Sequence, residues 1–156
     1  MAAHTESKPQ AEEAVRVSRT FRASRQRVYR AWTDPELLIR WFVDDDAEMR
    51  IRELDLRVGG RWRFEGTMAG TPWTLEGTFR EVRPPERLVY TWAWTADHLP
   101  FGSPGDTMVT VEFRERGGSG EETEVTVTQE GFTDAAARAG HHKGWIGCLD
   151  RLGGLV

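Results

Sequence analysis

LVYTWAW, residues 88–94, sets large aromatic side chains at alternate positions, Tyr90, Trp92 and Trp94. On a β-strand successive side chains leave opposite faces, so Leu88 joins these rings on one side while Val89, Thr91 and Ala93 take the other. That much aromatic surface on one side of a strand either plugs a core or walls a pocket. What covers this face decides the fold.

The period of two continues in both directions. From about residue 49 to 132, alternating segments are punctuated by the turn-forming runs VGGR, MAGTP, RPPE and RGGSGEE. They predict six strands, roughly 48–58, 60–68, 72–82, 87–95, 107–116 and 122–131, joined by short turns into an antiparallel meander. In the first of them Met49 and Ile51 are out of phase with Leu54, Leu56 and Val58, which predicts a bulge near Arg52 or Glu53. Upstream, VRVSRTF (15–21) alternates in the same way and supplies a further strand.

Two helical segments lie between that strand and the meander. Ser24 is positioned to cap SRQRVYRAW, whose Val28, Ala31 and Trp32 share a stripe. In DPELLIRWF, Asp34 is an N-cap and Pro35 occupies the first helical position, where its missing N–H costs nothing; Leu37, Leu38, Trp41 and Phe42 form the apolar face. After Thr133 and Asp134 the helical period returns, weakly through AAARAG and clearly in GWIGCLDRLGGLV, where Trp145, Leu149, Leu152 and Val156 repeat on one face. Gly144 and Gly147 each cost this helix about 1 kcal/mol relative to Ala unless small bulk is wanted there, either for a ligand or for close packing on the sheet. An α+β architecture follows: a seven-stranded antiparallel sheet whose apolar face is covered by the long C-terminal helix, the only element left to do it, with two short helices between strands 1 and 2.

Composition bounds the rest. The 156 residues (17.8 kDa) suit one domain, spanning 14–156 after a polar, disordered tail at 1–13. The net charge of −4 comes from interspersed Arg and Glu, which argues against a nucleic-acid partner, and no apolar run is long enough for a membrane span. A single cysteine, Cys148, excludes an internal disulfide framework, and the opening residues lack an apolar secretory segment, so a cytoplasmic protein is expected, monomeric or homodimeric. The seven tryptophans, Trp32, Trp41, Trp62, Trp73, Trp92, Trp94 and Trp145, are the compositional oddity.

Five segments carry a resemblance: VYRAWTDPELLIRWF (28–42), GGRWRFEG (59–66), LEGTFREVRPPERLVYTW (75–92), TVTQEGF (126–132) and GWIGCLDRL (144–152). Together they resemble the START-like (SRPBCC) superfamily and, within it, the AHSA-like group related to the C-terminal domain of the activator of the 90-kilodalton heat-shock chaperone ATPase. The resemblance implies a helix-grip fold, a curved sheet wrapped around the terminal helix with a cavity between them. It does not imply one activity, since the superfamily includes hydrophobic-ligand carriers, cyclases and receptors.

Strand parity and this fold together direct Trp62, Phe64, Trp73, Phe79, Tyr90, Trp92 and Trp94 inward beneath Trp145 and Cys148, with Trp41 from the second helical segment also a candidate contact. The leading expectation is non-catalytic binding of a small hydrophobic or aromatic ligand by these residues, without cofactor or metal. The competing expectation is that the rings only fill the core. A chaperone partner, by analogy with the activator, and a cyclase or hydrolase activity are the alternatives; for catalysis Glu53, Tyr90, His98 and Cys148 are the loose candidates. His141 and His142, being adjacent, diverge on a helix and read as its solvated start, and Asp44, Asp45 and Asp46 read as an exposed turn rather than a cation loop. Arg63, Glu65, Glu76 and Arg80 are expected as exposed cross-strand charge pairs.

Overall fold

The computed structural model describes residues 14–44, 47–68, 70–94 and 107–156. The tail expected at 1–13, the exposed turn expected at Asp45 and Asp46, and the catalytic candidate His98 lie outside the described residues. In chain order the elements are β1 (Val15–Phe21), α1 (Arg25–Thr33), α2 (Pro35–Leu38), β2 (Glu48–Leu54), β3 (Arg61–Met68), β4 (Thr71–Arg83), β5 (Arg87–Trp94), β6 (Thr107–Arg116), β7 (Glu122–Glu130) and α3 (Ala135–Leu155).

The helices start where their caps predict. Ser24 accepts from the Arg27 N–H, Asp34 from the Glu36 N–H with Pro35 in the first turn, and Asp134 from the Ala136 N–H at 3.0 Å, each satisfying one of the otherwise orphaned donors of a first turn. α2 ends after four residues, and the chain continues through a turn that buries Trp41 and Phe42.

All the strands join one antiparallel sheet in the order β1-β7-β6-β5-β4-β3-β2, so the meander runs outward to β2 while β1 returns to pair with the last strand. The strand alternation is visible in burial: Leu88, Tyr90 and Trp92 of β5 and Val109, Val111 and Phe113 of β6 are buried. Against this face lies one stripe of α3, comprising Ala137, His141, Trp145, Cys148, Leu149 and Leu152. A helix-grip architecture results, with the core between sheet and helix. On the opposite face Arg87 bridges Glu81 and Glu112 at 3.2 and 2.9 Å, and Glu65 is held by Arg52 and Arg63 at 2.8 and 3.1 Å, so Glu65 pairs with Arg63 along its own strand as well as across to β2.

The pairing of β2 with β3 shifts register between Ile51 and Glu53, which places a bulge at Arg52 and brings Leu54 back into phase with Met49 and Ile51. β2 is nevertheless shorter than expected. It ends at Leu54, where the Asp55 and Gly60 N–H groups bond to the carbonyls of Arg61 and Arg57 and Gly59 takes a φ of 84°, so residues 55–60 turn and Val58 is 67% exposed. A second bulge falls at Arg80, between the Phe79↔Tyr90 and Glu81↔Val89 pairs. In β3, Gly66 faces Trp73 across the ladder, and a Cβ there would come within 2.5 Å of the Trp73 ring. The missing side chain lets that indole lie across the strand.

Candidate functional site

Among the described residues two spaces lie over the apolar face of the sheet, an inner one against Trp32, Leu38 and Phe42 of the α1–α2 segment and an outer one against α3, and Phe42 and Trp92 line both. The inner one, between Trp62, Phe64, Phe79, Tyr90 and the Leu54–Leu56 side, has a volume of about 30 Å³. That holds a water or two at most, so there the rings fill the core. The outer one measures about 160 Å³ and lies between Trp73 of β4, Trp92 and Trp94 of β5, and the Gly140, His141, Gly144, Trp145, Cys148 and Arg151 side of α3. An apolar cavity of ~150 Å³ is known to take benzene, so this volume matches one aromatic ring.

The walls are fixed by buried hydrogen bonds. The Trp145 indole donates to Gln129 Oε1 at 2.8 Å, Gln129 Nε2 donates to the Thr107 hydroxyl at 2.8 Å, and that hydroxyl donates to the Trp92 carbonyl at 3.2 Å. Gln129 is completely buried, and this chain explains how a polar side chain is tolerated there.

His141 closes the opposite wall and corrects the expectation of a solvated helix start. α3 begins at Ala135, so His141 is almost two turns inside it and only 5% exposed, whereas His142 is exposed. Its Nδ1 lies 2.7 Å from the Ala137 carbonyl and therefore carries the proton; its Nε2 accepts from the indoles of Trp94 (2.9 Å) and Trp92 (3.3 Å). Burial lowers its pKa, partly opposed by the bond to Ala137, so the ring is held neutral with its lone pair engaged.

At the mouth, Arg151 ties α3 to the segment after α2. Its Nε donates to the Trp41 carbonyl at 2.9 Å, its Nη2 to the Phe42 carbonyl at 3.4 Å, and its Nη1 to the exposed carboxylate of Asp44. Cys148 donates to the Phe42 carbonyl at 3.2 Å, and burial pushes its thiol up to about 12 despite the neighbouring Arg151. Gly144 stands in the same stripe, and a Cβ on it would meet nothing within 4 Å; at Gly147 the nearest neighbour is Arg151, not the sheet. The glycine at 144 therefore leaves space beside the cavity rather than drawing the helix onto the strands.

The candidate residues thus divide. Trp73, Trp92, Trp94, Trp145 and Cys148 surround the larger cavity, while Trp62, Phe64, Phe79, Tyr90 and again Trp92 surround the small one. Trp41 lines neither: fully buried, it donates to the Ala31 carbonyl at 2.8 Å and packs on Trp32 with ring centroids 4.6 Å apart. The sequence reading assigns His141 to a solvated helix start, takes Phe42 only as part of an apolar helical face and leaves out Arg151. The signal for His141 and Arg151 was spacing, since 141, 145, 148 and 152 recur on one helical face and Arg151 follows Cys148 by three residues.

Of the loose catalytic candidates, Tyr90 is buried, hydrogen-bonded by Trp32, and pushed well above its ordinary pKa by desolvation; Glu53 is exposed on β2 and lines neither space. Cys148 stays a thiol at neutral pH. Among the described residues no cluster of His, Cys, Asp and Glu is placed to hold a metal ion, and no helix is long and apolar enough to cross a membrane.

Among solved structures, the chain is similar to protein CV1439 from Chromobacterium violaceum, with 30% identity, a TM-score of 0.80 and coverage of 93% of this chain and 97% of that one. It is also similar to protein Mll3558 from Rhizobium loti (28% identity, TM-score 0.74, 92% and 96% covered). Protein Ms6760 from Mycobacterium smegmatis shares the fold at 18% identity (TM-score 0.78, 94% and 92% covered). No curated protein matches the chain. The family model described as activator of Hsp90 ATPase homolog 1-like protein matches residues 22–156, from just after β1 to the end of α3, and the chain belongs to that family.

Proposed function

We propose that this protein binds one small, mostly apolar ring-containing molecule in the cavity between β4, β5 and α3, without transforming it. The observation that carries this reading is the cavity of about 160 Å³ walled by Trp73, Trp92, Trp94 and Trp145, the last three of which have their indole N–H groups held by partners that do not involve a ligand. Walls built in advance reduce the ordering cost of binding. Among the described residues His141 has its lone pair engaged and Cys148 is protonated, which supports a carrier or sensor over an enzyme.

A chaperone-cofactor role is the second reading, favoured by the family's description. It calls for an apolar docking patch. Among the described residues the exposed large hydrophobic residues, Ile39, Val58 and Ile146, come from three separate segments, the turn after α2, the turn after β2 and α3, so the cavity reading is preferred.

The test is a thermal-shift and tryptophan-quenching titration with toluene, phenol and indole on the native chain and on Gly144→Leu, whose side chain would project into the cavity. At 100 times its dissociation constant a ligand of the native state adds about 2.7 kcal/mol. Stabilisation of the native chain that is lost in Gly144→Leu supports the proposal. Equal binding by both chains, or binding by neither, refutes it.

A further inference from the structure

Building on the ligand-binding reading, we infer that the ligand is an aromatic carboxylate whose ring occupies the cavity and whose carboxylate meets Arg151 at the mouth in place of Asp44. Three observations converge on this class. The volume of about 160 Å³ admits a single ring with a small substituent. The polar side chains around it offer donors: Arg151 is fixed by the Trp41 and Phe42 carbonyls, and the buried Trp73 indole N–H, in the cavity wall, has no hydrogen-bond partner. Of the side-chain acceptors, His141 Nε2 is taken by two indoles and Oδ1 of the solvent-facing Asp44 carboxylate by Arg151. A ligand that brings oxygen acceptors and a negative charge suits such a lining, and guanidinium is the side chain whose geometry fits a carboxylate.

Asp44 acts as a stand-in for that carboxylate. Its side chain is 78% exposed, against 25% for Arg151, so its ion pair is worth little and the carboxylate can turn to solvent when another anion arrives. Among the described residues these two carry the charges of the lining, and they cancel while paired. Displacement of Asp44 leaves the guanidinium paired with the ligand and Asp44 hydrated. The same arrangement disfavours cations, although four tryptophans would otherwise suit a quaternary ammonium group, because Arg151 stands at the entrance.

Calorimetric titrations with benzoate, toluene and tetramethylammonium on the native chain, Asp44→Asn and Arg151→Gln test the inference. Benzoate is expected to bind more tightly than toluene by at least about tenfold, equivalent to ~1.4 kcal/mol. In Asp44→Asn, which removes the competing carboxylate at an exposed site, benzoate affinity is expected to rise several-fold with toluene unchanged. In Arg151→Gln the preference for benzoate over toluene is expected to disappear. Toluene binding with no preference for benzoate, or benzoate affinity unchanged in Asp44→Asn, overturns the carboxylate assignment and leaves the cavity as an apolar ligand site. A preference for tetramethylammonium overturns it in favour of the opposite charge. Binding of none of the three overturns both the assignment and the ligand-binding reading beneath it.

Discussion

Replacing His141 with Phe removes an acceptor while keeping a ring of similar size, which makes the consequence readable. Two indole N–H groups lose their partner. Trp94 is only partly buried and can turn its N–H toward water, but Trp92 is 5% exposed and cannot. One buried donor left unsatisfied costs about 1–3 kcal/mol, so at pH 8 the variant should be less stable than the native chain by that amount. The pH dependence carries a second signature. Burial lowers the folded pKa of His141, so as pH falls the unfolded chain takes up the proton first, near its ordinary value of about 6.5. The native chain therefore has the full contribution of neutral His141 above about pH 6.5 and loses it as pH falls toward the folded pKa, with a slope of at most ~1.4 kcal/mol per pH unit. Phe cannot titrate, so the stability gap between the two chains should be widest at pH 7–8 and shrink toward pH 5. Urea unfolding followed by tryptophan fluorescence at pH 8, 7, 6 and 5 measures the gap, and the other histidines, common to both chains, cancel. A gap that stays constant, or widens as pH falls, refutes the assignment of a neutral, doubly accepting His141.

Other consequences follow from the same contacts. Gly144→Ala, whose Cβ meets nothing within 4 Å, should stabilise the chain by up to about 1 kcal/mol through helix propensity, whereas Gly66→Ala should cost about 2 kcal/mol or more because its Cβ collides with the Glu48 carbonyl oxygen and the Trp73 ring; denaturant midpoints distinguish the two signs. Trp145→Phe strands the Gln129 carbonyl and should cost about 1–3 kcal/mol, an effect absent if Trp145 acts only as apolar bulk. Cys148, buried and with its thiol pushed up to about 12, should react with an aromatic disulfide reagent only as fast as the chain opens; labelling of the native protein at the rate of a free thiol would contradict its placement.

Much of this fold was legible in local chemistry. The caps Ser24, Asp34 and Asp134 start the helices, the phase slip after Ile51 marks the bulge at Arg52, and the alternation in residues 88–94 puts Leu88, Tyr90 and Trp92 into the core. What escaped depends on tertiary pairing. β2 stops at Leu54 because residues 55–60 hydrogen-bond into a turn, whereas the bulge at Arg80 had a local signal in the three-residue step from Phe79 to Val82, the counterpart of that from Ile51 to Leu54. The site was legible in composition but not in layout. Parity directs the rings inward, yet only the backbone path decides that Trp62, Phe64, Phe79 and Tyr90 close on each other while Trp73, Trp94 and Trp145 border open space. For His141 the spacing with Trp145, Cys148 and Leu152 marks a buried helical face, but its hydrogen-bond partners lie on β5, more than 45 residues earlier in the chain.

The tryptophans themselves offer the most direct test of where a ligand binds. Each indole N–H gives a separate cross-peak in a ¹H–¹⁵N correlation spectrum, so titrating ¹⁵N-labelled protein with toluene reads both spaces at once. The cavity account predicts saturable shifts at Trp73, Trp94 and Trp145, with Trp32, Trp41 and Trp62 left in place. Shifts centred on Trp62 and Trp32, or no saturable shift at any indole, would contradict it.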